Sequence, residues 1–234
     1  MSTDTPFSKE NLDVCLKELG KEFRRLNGTS VPAEIILVGG AAILANYGFR
    51  DMTNDIDAII LASSAMKDAI ICVGDRLNLR SGWLSTDFKQ TISYSDKLVE
   101  VSVYYKTFSN VLTVRMVAAE YLVAMKLMSC RQYKNDLSDI AGILWEHTRS
   151  GKPISMDAIN RAIDYLYKGN EIPEVSKRFI NDAFANGDFE RVYKEIQENE
   201  RQLKEVVLDF KRNNPGNLDE GSIGAIIEKA NKKR

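Results

Sequence analysis

Two aspartates one residue apart, Asp55 and Asp57, stand at the head of an apolar run in "NDIDAIILA". Side chains alternate along an extended segment, so both carboxylates project from one face while Ile56 and Ala58 turn toward a core. Adjacent carboxylates repel, and removing them from water is costly unless a cation compensates. The fitting cation is hard and oxygen-seeking, Mg²⁺ or Mn²⁺, which commonly keeps substrate phosphates among its ligands. Upstream, "EIILVGG" runs into Gly39 and Gly40, followed by fourteen residues before Asp55. A glycine turn that opens a helix presents backbone N–H groups and a helix dipole to an anion. An anion site beside a divalent-cation site describes a place for a nucleoside triphosphate. Glu100, in the alternating "KLVEVSVYY", is the natural third carboxylate on an adjacent strand.

The elements that must hold these groups follow from the pattern of apolar residues. "SKENLDVCLKELGKEFRRLNG" repeats Leu12, Cys15, Leu16, Leu19 and Phe23 at helical spacing after a capping Ser8. "EIIL" reads as a buried strand, "AAILANYGF" as a short helix and "IDAIILA" as a second buried strand. A helix capped at Ser63 or Ser64 follows, with Met66, Ala69, Ile70, Val73 and Leu77 on its apolar face. "KQTISYSDKLVEVSVYY" reads as a hairpin turning near Asp96 and Lys97, with Val99, Val101 and Val103 on one face. "NVLTVRMV" is one more strand, and from Ala118 onward the pattern is helical. Strands first and helices after predict an α+β fold, a small mixed sheet with flanking helices and a helical C-terminal region. The expected division is a core over residues 1–115, a helical part completing the pocket over 116–170, and a charged helical tail over 171–234. In that tail "FERVYKEIQENERQLKEVVLDFKR" forms one long helix, and a short helix ending in "KANKKR" closes the chain.

Composition narrows the functional classes. Lys and Arg number 32 against 33 Asp and Glu, so the basic excess of a non-specific nucleic-acid binder is absent. No apolar run reaches the length of a membrane span, and the N-terminus lacks the pattern of a signal peptide. Cys15, Cys72 and Cys130 are scattered within apolar helical patterns and read as reduced structural thiols in a cytoplasmic protein. His147, the sole histidine, sits late in a helix and reads as a helix-end residue. Trp83 and Trp145 read as packing residues. Lys126 lies in a helix apolar on most sides, where its ammonium needs either a phosphate or an internal carboxylate such as Asp136. Asp136 and Asp139 share a helix face, as ligands or as charges near the helix start. The long tail helix is solvated, or docks a protein partner through Val192, Ile196, Leu203, Val207 and Phe210.

"LVGG", the spacer, "DID" and a later acid resemble the DNA polymerase β-type nucleotidyltransferase superfamily. The fuller run "GG…FRDMTNDID" is most similar to minimal bacterial and archaeal nucleotidyltransferases, especially the abortive-infection type of type IV toxin–antitoxin systems. "YLVAMKLMSCRQYKNDLSDI" supplies Lys126, Arg131, Asp136 and Asp139 in the matching order. The resemblance covers roughly Ile35 to Leu144 and departs in a long spacer and in Gly40, where Ser is common. It implies Mg²⁺ or Mn²⁺ held by Asp55, Asp57 and Glu100, with Gly39, Gly40, Thr53, Lys126, Arg131, Asp136 and Asp139 around the nucleotide. The implied reaction moves a nucleoside monophosphate from an NTP to an acceptor hydroxyl on an RNA end such as tRNA, a protein or a small molecule. The rival reading is a toxin–antitoxin component or nucleotide sensor that acts through a protein partner at the C-terminal helices.

Overall fold

The computed structural model describes residues 6–131 and 134–213, so the expected helix at the C-terminus lies outside the described residues. Ser8 caps α1 (Lys9–Asn27) by accepting from the Asn11 N–H at 3.4 Å, and the helix ends at Gly28. Its face of Leu12, Cys15, Leu16, Leu19 and Phe23 is wholly buried. There follow β1 (Ala33–Leu37), α2 (Gly39–Asn46), β2 (Ile56–Leu61), α3 (Ala65–Leu77), β3 (Leu84–Ser85), β4 (Ser102–Phe108) and β5 (Leu112–Val117). The rest is helical: α4 (Ala119–Ser129), α5 (Asp136–Arg149), α6 (Met156–Tyr167), α7 (Glu174–Asn186) and α8 (Phe189–Asn213). The fold is α+β.

The five strands form one mixed sheet in the order β3-β2-β1-β5-β4. β1 is central, antiparallel to β2 and parallel to β5. Ala33, Ile35, Ile36 and Leu37 are buried, as a strand covered on both faces requires. The β1–β2 register, with Leu37 opposite Ala58, brings the end of β1 to the start of β2. The glycines after β1 and the aspartates entering β2 therefore meet at one end of the sheet. The Val38 N–H donates to the Asp57 carbonyl at 3.0 Å and closes that corner.

Two expectations need correction. The anticipated hairpin is absent: two 3₁₀ turns, Asp87–Gln90 and Asp96–Val99, take the place of its first arm, its turn and the start of its second arm, which is a strand only from Ser102. Contacts with α6 explain it. Ser95 Oγ donates to the Leu166 carbonyl at 3.0 Å, Lys97 Nζ to that of Tyr165 at 2.6 Å, and Tyr167 Oη to that of Ser93 at 2.6 Å. These bonds tie the segment to a helix end and leave it no role in the sheet. The alternation is displaced too: Ser102 is buried while Val103 and Tyr104 are exposed, on an edge strand irregular between Tyr104 and Lys106. The sequence also gave no sign of β3, two residues pairing in parallel with β2.

The helices after β5 pack as a layered group, α5 between α4 and α8. α8 is not wholly solvated, for Val192, Tyr193 and Val207 are buried and Ile196 packs beside Ala141, Trp145 and Phe49. Among the described residues no helix is long and apolar enough to cross a membrane.

Candidate active site

The corner where β1 ends and β2 begins opens into a cleft of about 290 Å³. Gly39, with φ of +54°, starts α2 in a backbone conformation that side chains disfavour, and no side chain caps the helix. At Gly40 a Cβ would stand 2.7 Å from Thr53 Oγ1 and 3.0 Å from Arg50 Nη2. A serine there would force Thr53 Oγ1 to shift and would crowd Arg50, which fits the departure from Gly-Ser. Thr53 is buried, and its hydroxyl donates to the Asp55 carbonyl at 3.2 Å. Its backbone pairs with that of Phe7 in both directions, at 2.7 and 2.9 Å, which clamps the loop carrying the acids.

Asp55 is more than half exposed, with Arg80 at 3.8 Å, whereas Asp57 is partly buried on β2. Burial, then the neighbouring Asp55 charge, raises the Asp57 carboxyl above the usual carboxylate range. Asp87, in the turn after β3, is a third carboxylate of the cleft. Arg50, Lys126, Arg131 and Lys134 line the same cleft.

Arg50, Lys126 and Arg131 are set by two buried carboxylates. Lys126 Nζ lies 2.6 Å from Asp136 and 2.9 Å from Asp139. Burial works against the ammonium, but Asp139 and Asp136 outweigh it and raise its pKa. Asp139 also takes Arg50 Nη1 on both oxygens, at 2.7 and 2.6 Å. Asp136 accepts from Ser129 Oγ at 2.8 Å and from the Arg131 backbone N–H and Nε, each at 3.0 Å. Despite its burial, Lys126 and Arg131 hold its carboxyl far below the ordinary range. Asp136 and Asp139 thus orient the cations as counter-ions, and the ammonium of Lys126 has found its internal carboxylates.

Of the residues singled out from sequence, Gly39, Gly40, Thr53, Asp55, Asp57, Lys126, Arg131 and Asp136 gather around this cleft, and Asp139 lies just behind it. Glu100 does not join them. It follows the second 3₁₀ turn instead of lying on a strand, is exposed, and accepts from Tyr165 Oη of α6 at 2.5 Å. Asp87 and Arg50 are site residues not singled out in the sequence, and the available signal for the first was the acid in "WLSTDF".

A family model described as "Nucleotidyltransferase of unknown function (DUF6036)" matches residues 15–163. The chain belongs to this family. No curated protein and no solved structure matches it. The nucleotidyltransferase match runs from α1 into α6 and takes in the three acids, α2 and the Lys126 network, while α7 and α8 lie beyond it. Within this nucleotidyltransferase the other singled-out residues have structural tasks. His147 Nε2 lies 3.0 Å from Tyr47 Oη and its Nδ1 3.1 Å from the Lys152 carbonyl. Trp83 Nε1 donates to the Ile70 carbonyl at 3.1 Å, Trp145 stacks on Tyr193, and the three cysteines are free thiols. Among the described residues no group of three or more His, Cys, Asp or Glu is placed to hold a metal alone. Asp55 and Asp57 suit an ion that arrives with a phosphate ligand, since one carboxylate is destabilised by burial and by the other.

Proposed function

We propose that the protein transfers a nucleoside monophosphate from an NTP to an acceptor hydroxyl with Mg²⁺ or Mn²⁺. The observation that carries this reading is the meeting of both charges in one cleft. Asp55, Asp57 and Asp87 line it together with Arg50, Lys126, Arg131 and Lys134, and the uncapped start of α2 opens into it. The metal, bound with the triphosphate, would polarise the phosphoryl group and neutralise charge on the oxygens that attack and leave.

The chain's own part is to place charges. Backbone N–H groups at Gly39 and Gly40 receive phosphate oxygens at the positive end of α2. Arg50 and Lys126, fixed by Asp139 and Asp136, offset the negative charge that grows on the departing pyrophosphate. Asp55 and Asp57 would hold the metal. A bond forms between the acceptor oxygen and the α-phosphorus as the hydroxyl proton passes to water, the bond from that phosphorus to the bridging oxygen breaks, and pyrophosphate leaves. Asp87 replaces Glu100 as the third acid in this account. Resemblance to the abortive-infection type points to a tRNA end or a protein hydroxyl as acceptor.

The test is incubation with each α-labelled NTP and Mg²⁺ in the presence of tRNA, of protein extract, or of neither. Label passing to one acceptor, and abolished by Asp57→Asn, is the expected result. NTP binding with no transfer under any condition would leave a nucleotide sensor instead.

A further inference from the structure

Glu200 lies on α8, beyond the family match, yet its carboxylate is nearly inaccessible to solvent. It sits on the first turn of α5: Oε1 accepts from the Leu137 N–H at 3.1 Å and the Ser138 N–H at 3.2 Å, and Oε2 accepts from Ser138 Oγ. Asn135, at the cap position, supplies no side-chain bond. Free N–H groups at a helix start need an acceptor, and a carboxylate there also suits the helix dipole. Here the acceptor comes from a helix 62 residues away in the chain. The same turn of α5 carries Asp136 and Asp139, the anchors of Lys126, Arg131 and Arg50.

α8 also grips the other side of that network. Tyr193 Oη donates to the Phe49 carbonyl at 2.9 Å, Gln197 Nε2 donates to Tyr193 Oη at 2.7 Å, and the Tyr193 ring meets that of Phe49 edge-on. Phe49 precedes Arg50, and its ring covers Gly142 of α5 so closely that a Cβ would stand 2.6 Å from it. The α5 turn and the Arg50 loop are thereby registered against each other by one helix.

We infer that Glu200 is a positioning residue for the phosphate-binding cations, and that α8 belongs to the nucleotide-binding unit. Resting on the nucleotide reading above, this adds that the cation group is assembled by a helix outside the family-wide core. Loss of the Glu200 carboxylate frees the first turn of α5, so Asp136 and Asp139 no longer hold Lys126 and Arg50 at one separation. The bonds of Glu200 go to Leu137 and Ser138 and not to Asp55, Asp57 or Asp87, so these acids keep their places.

The experiment measures Mg·NTP affinity by calorimetry, with melting temperature, for wild type, Glu200→Ala, Glu200→Gln and Ile196→Ala. Ile196, on α8, packs into the apolar cluster around Ala141 and, having no polar side-chain atom, hydrogen-bonds to neither the α5 turn nor the Arg50 loop, so its truncation controls for loosening alone. Glu200→Ala is expected to weaken Mg·NTP binding about tenfold or more, the scale of losing an outer-shell partner. Glu200→Gln, whose carbonyl oxygen still accepts from the α5 amides, is expected to restore most of it. Unchanged affinity in a folded Glu200→Ala overturns the proposal, as does an equal loss in Ile196→Ala at matched melting temperature. Should Glu200→Ala not fold, Glu200→Asp decides, because retraction by one methylene must also weaken binding. A wild type that binds no NTP overturns the nucleotide reading together with this one, whereas wild-type binding with an indifferent Glu200 overturns this one alone.

Discussion

Asp57 and Glu100 show how differently two acids chosen from the same sequence can fare. Asp57 keeps the expected setting, partly buried at the start of a strand beside Asp55, and burial plus that neighbour raises its carboxyl. A raised carboxyl must lose its proton before it can ligate, so Mg²⁺ affinity should climb with pH through the acid range and then level off. Calorimetric Mg²⁺ titrations at several pH values in the presence of NTP would show it, and Asp57→Asn should flatten the profile. Glu100 was assigned from an alternation that supposes a strand, and the local chain instead folds as 3₁₀ turns tied to α6. Glu100→Gln is accordingly expected to change turnover less than about twofold, while Asp87→Asn should lower it at least about a hundredfold, the lower range for a group acting at the reacting centre. Steady-state rates of the two variants decide between them, and the opposite ranking would return the role to Glu100. Gly40 was legible as an anion-site glycine, but not the reason it is not serine, since only the folded loop brings Thr53 and Arg50 over it.

At the scale of elements, the parts set by local pattern were readable: α1 with its Ser8 cap, the apolar β1 and β2, and the long α8. What escaped was decided by partners distant in the chain, namely the 3₁₀ turns on α6, the two-residue β3, and the α5 start closed by Glu200. The α4–α5 pairing is the element that sets the cations. Asp139 serves Arg50 and Lys126 at once with its side chain almost wholly buried. Asp139→Asn removes a charge that both depend on, and an uncompensated buried cation costs about 3 kcal/mol. Urea unfolding of the variant should show a loss of that order, with NTP binding weakened in parallel. A loss below about 1 kcal/mol, the range of a surface pair, would mean that the network does not set the site.

Across the whole molecule, two buried carboxylates at the first turn of α5, Glu200 and Asp136, respond to pH with opposite signs. Burial pushes Glu200 up to about 7, so the folded state holds a proton that the unfolded chain has released above its ordinary range near 4.5. Its contribution therefore lowers stability as pH rises from about 4.5 to 7, by at most on the order of 3 kcal/mol. Asp136 is held far below the ordinary range, so its contribution is present above about pH 4 and is lost as pH falls further. Stability is thus expected to peak in mildly acid solution, with Glu200→Gln removing the decline toward neutrality in a pH series of urea unfolding curves. The measurement that bears most directly on the nucleotidyltransferase account is NTP binding with and without divalent metal, in wild type and in the doubly substituted Asp55→Asn, Asp57→Asn protein. The account predicts that Mg²⁺ or Mn²⁺ tightens NTP binding to wild type and does nothing for the double variant, which keeps its fold because both acids lie at the sheet's open end. Equal NTP binding with metal and with chelator in wild type, or an unaltered metal response in the double variant, would contradict it.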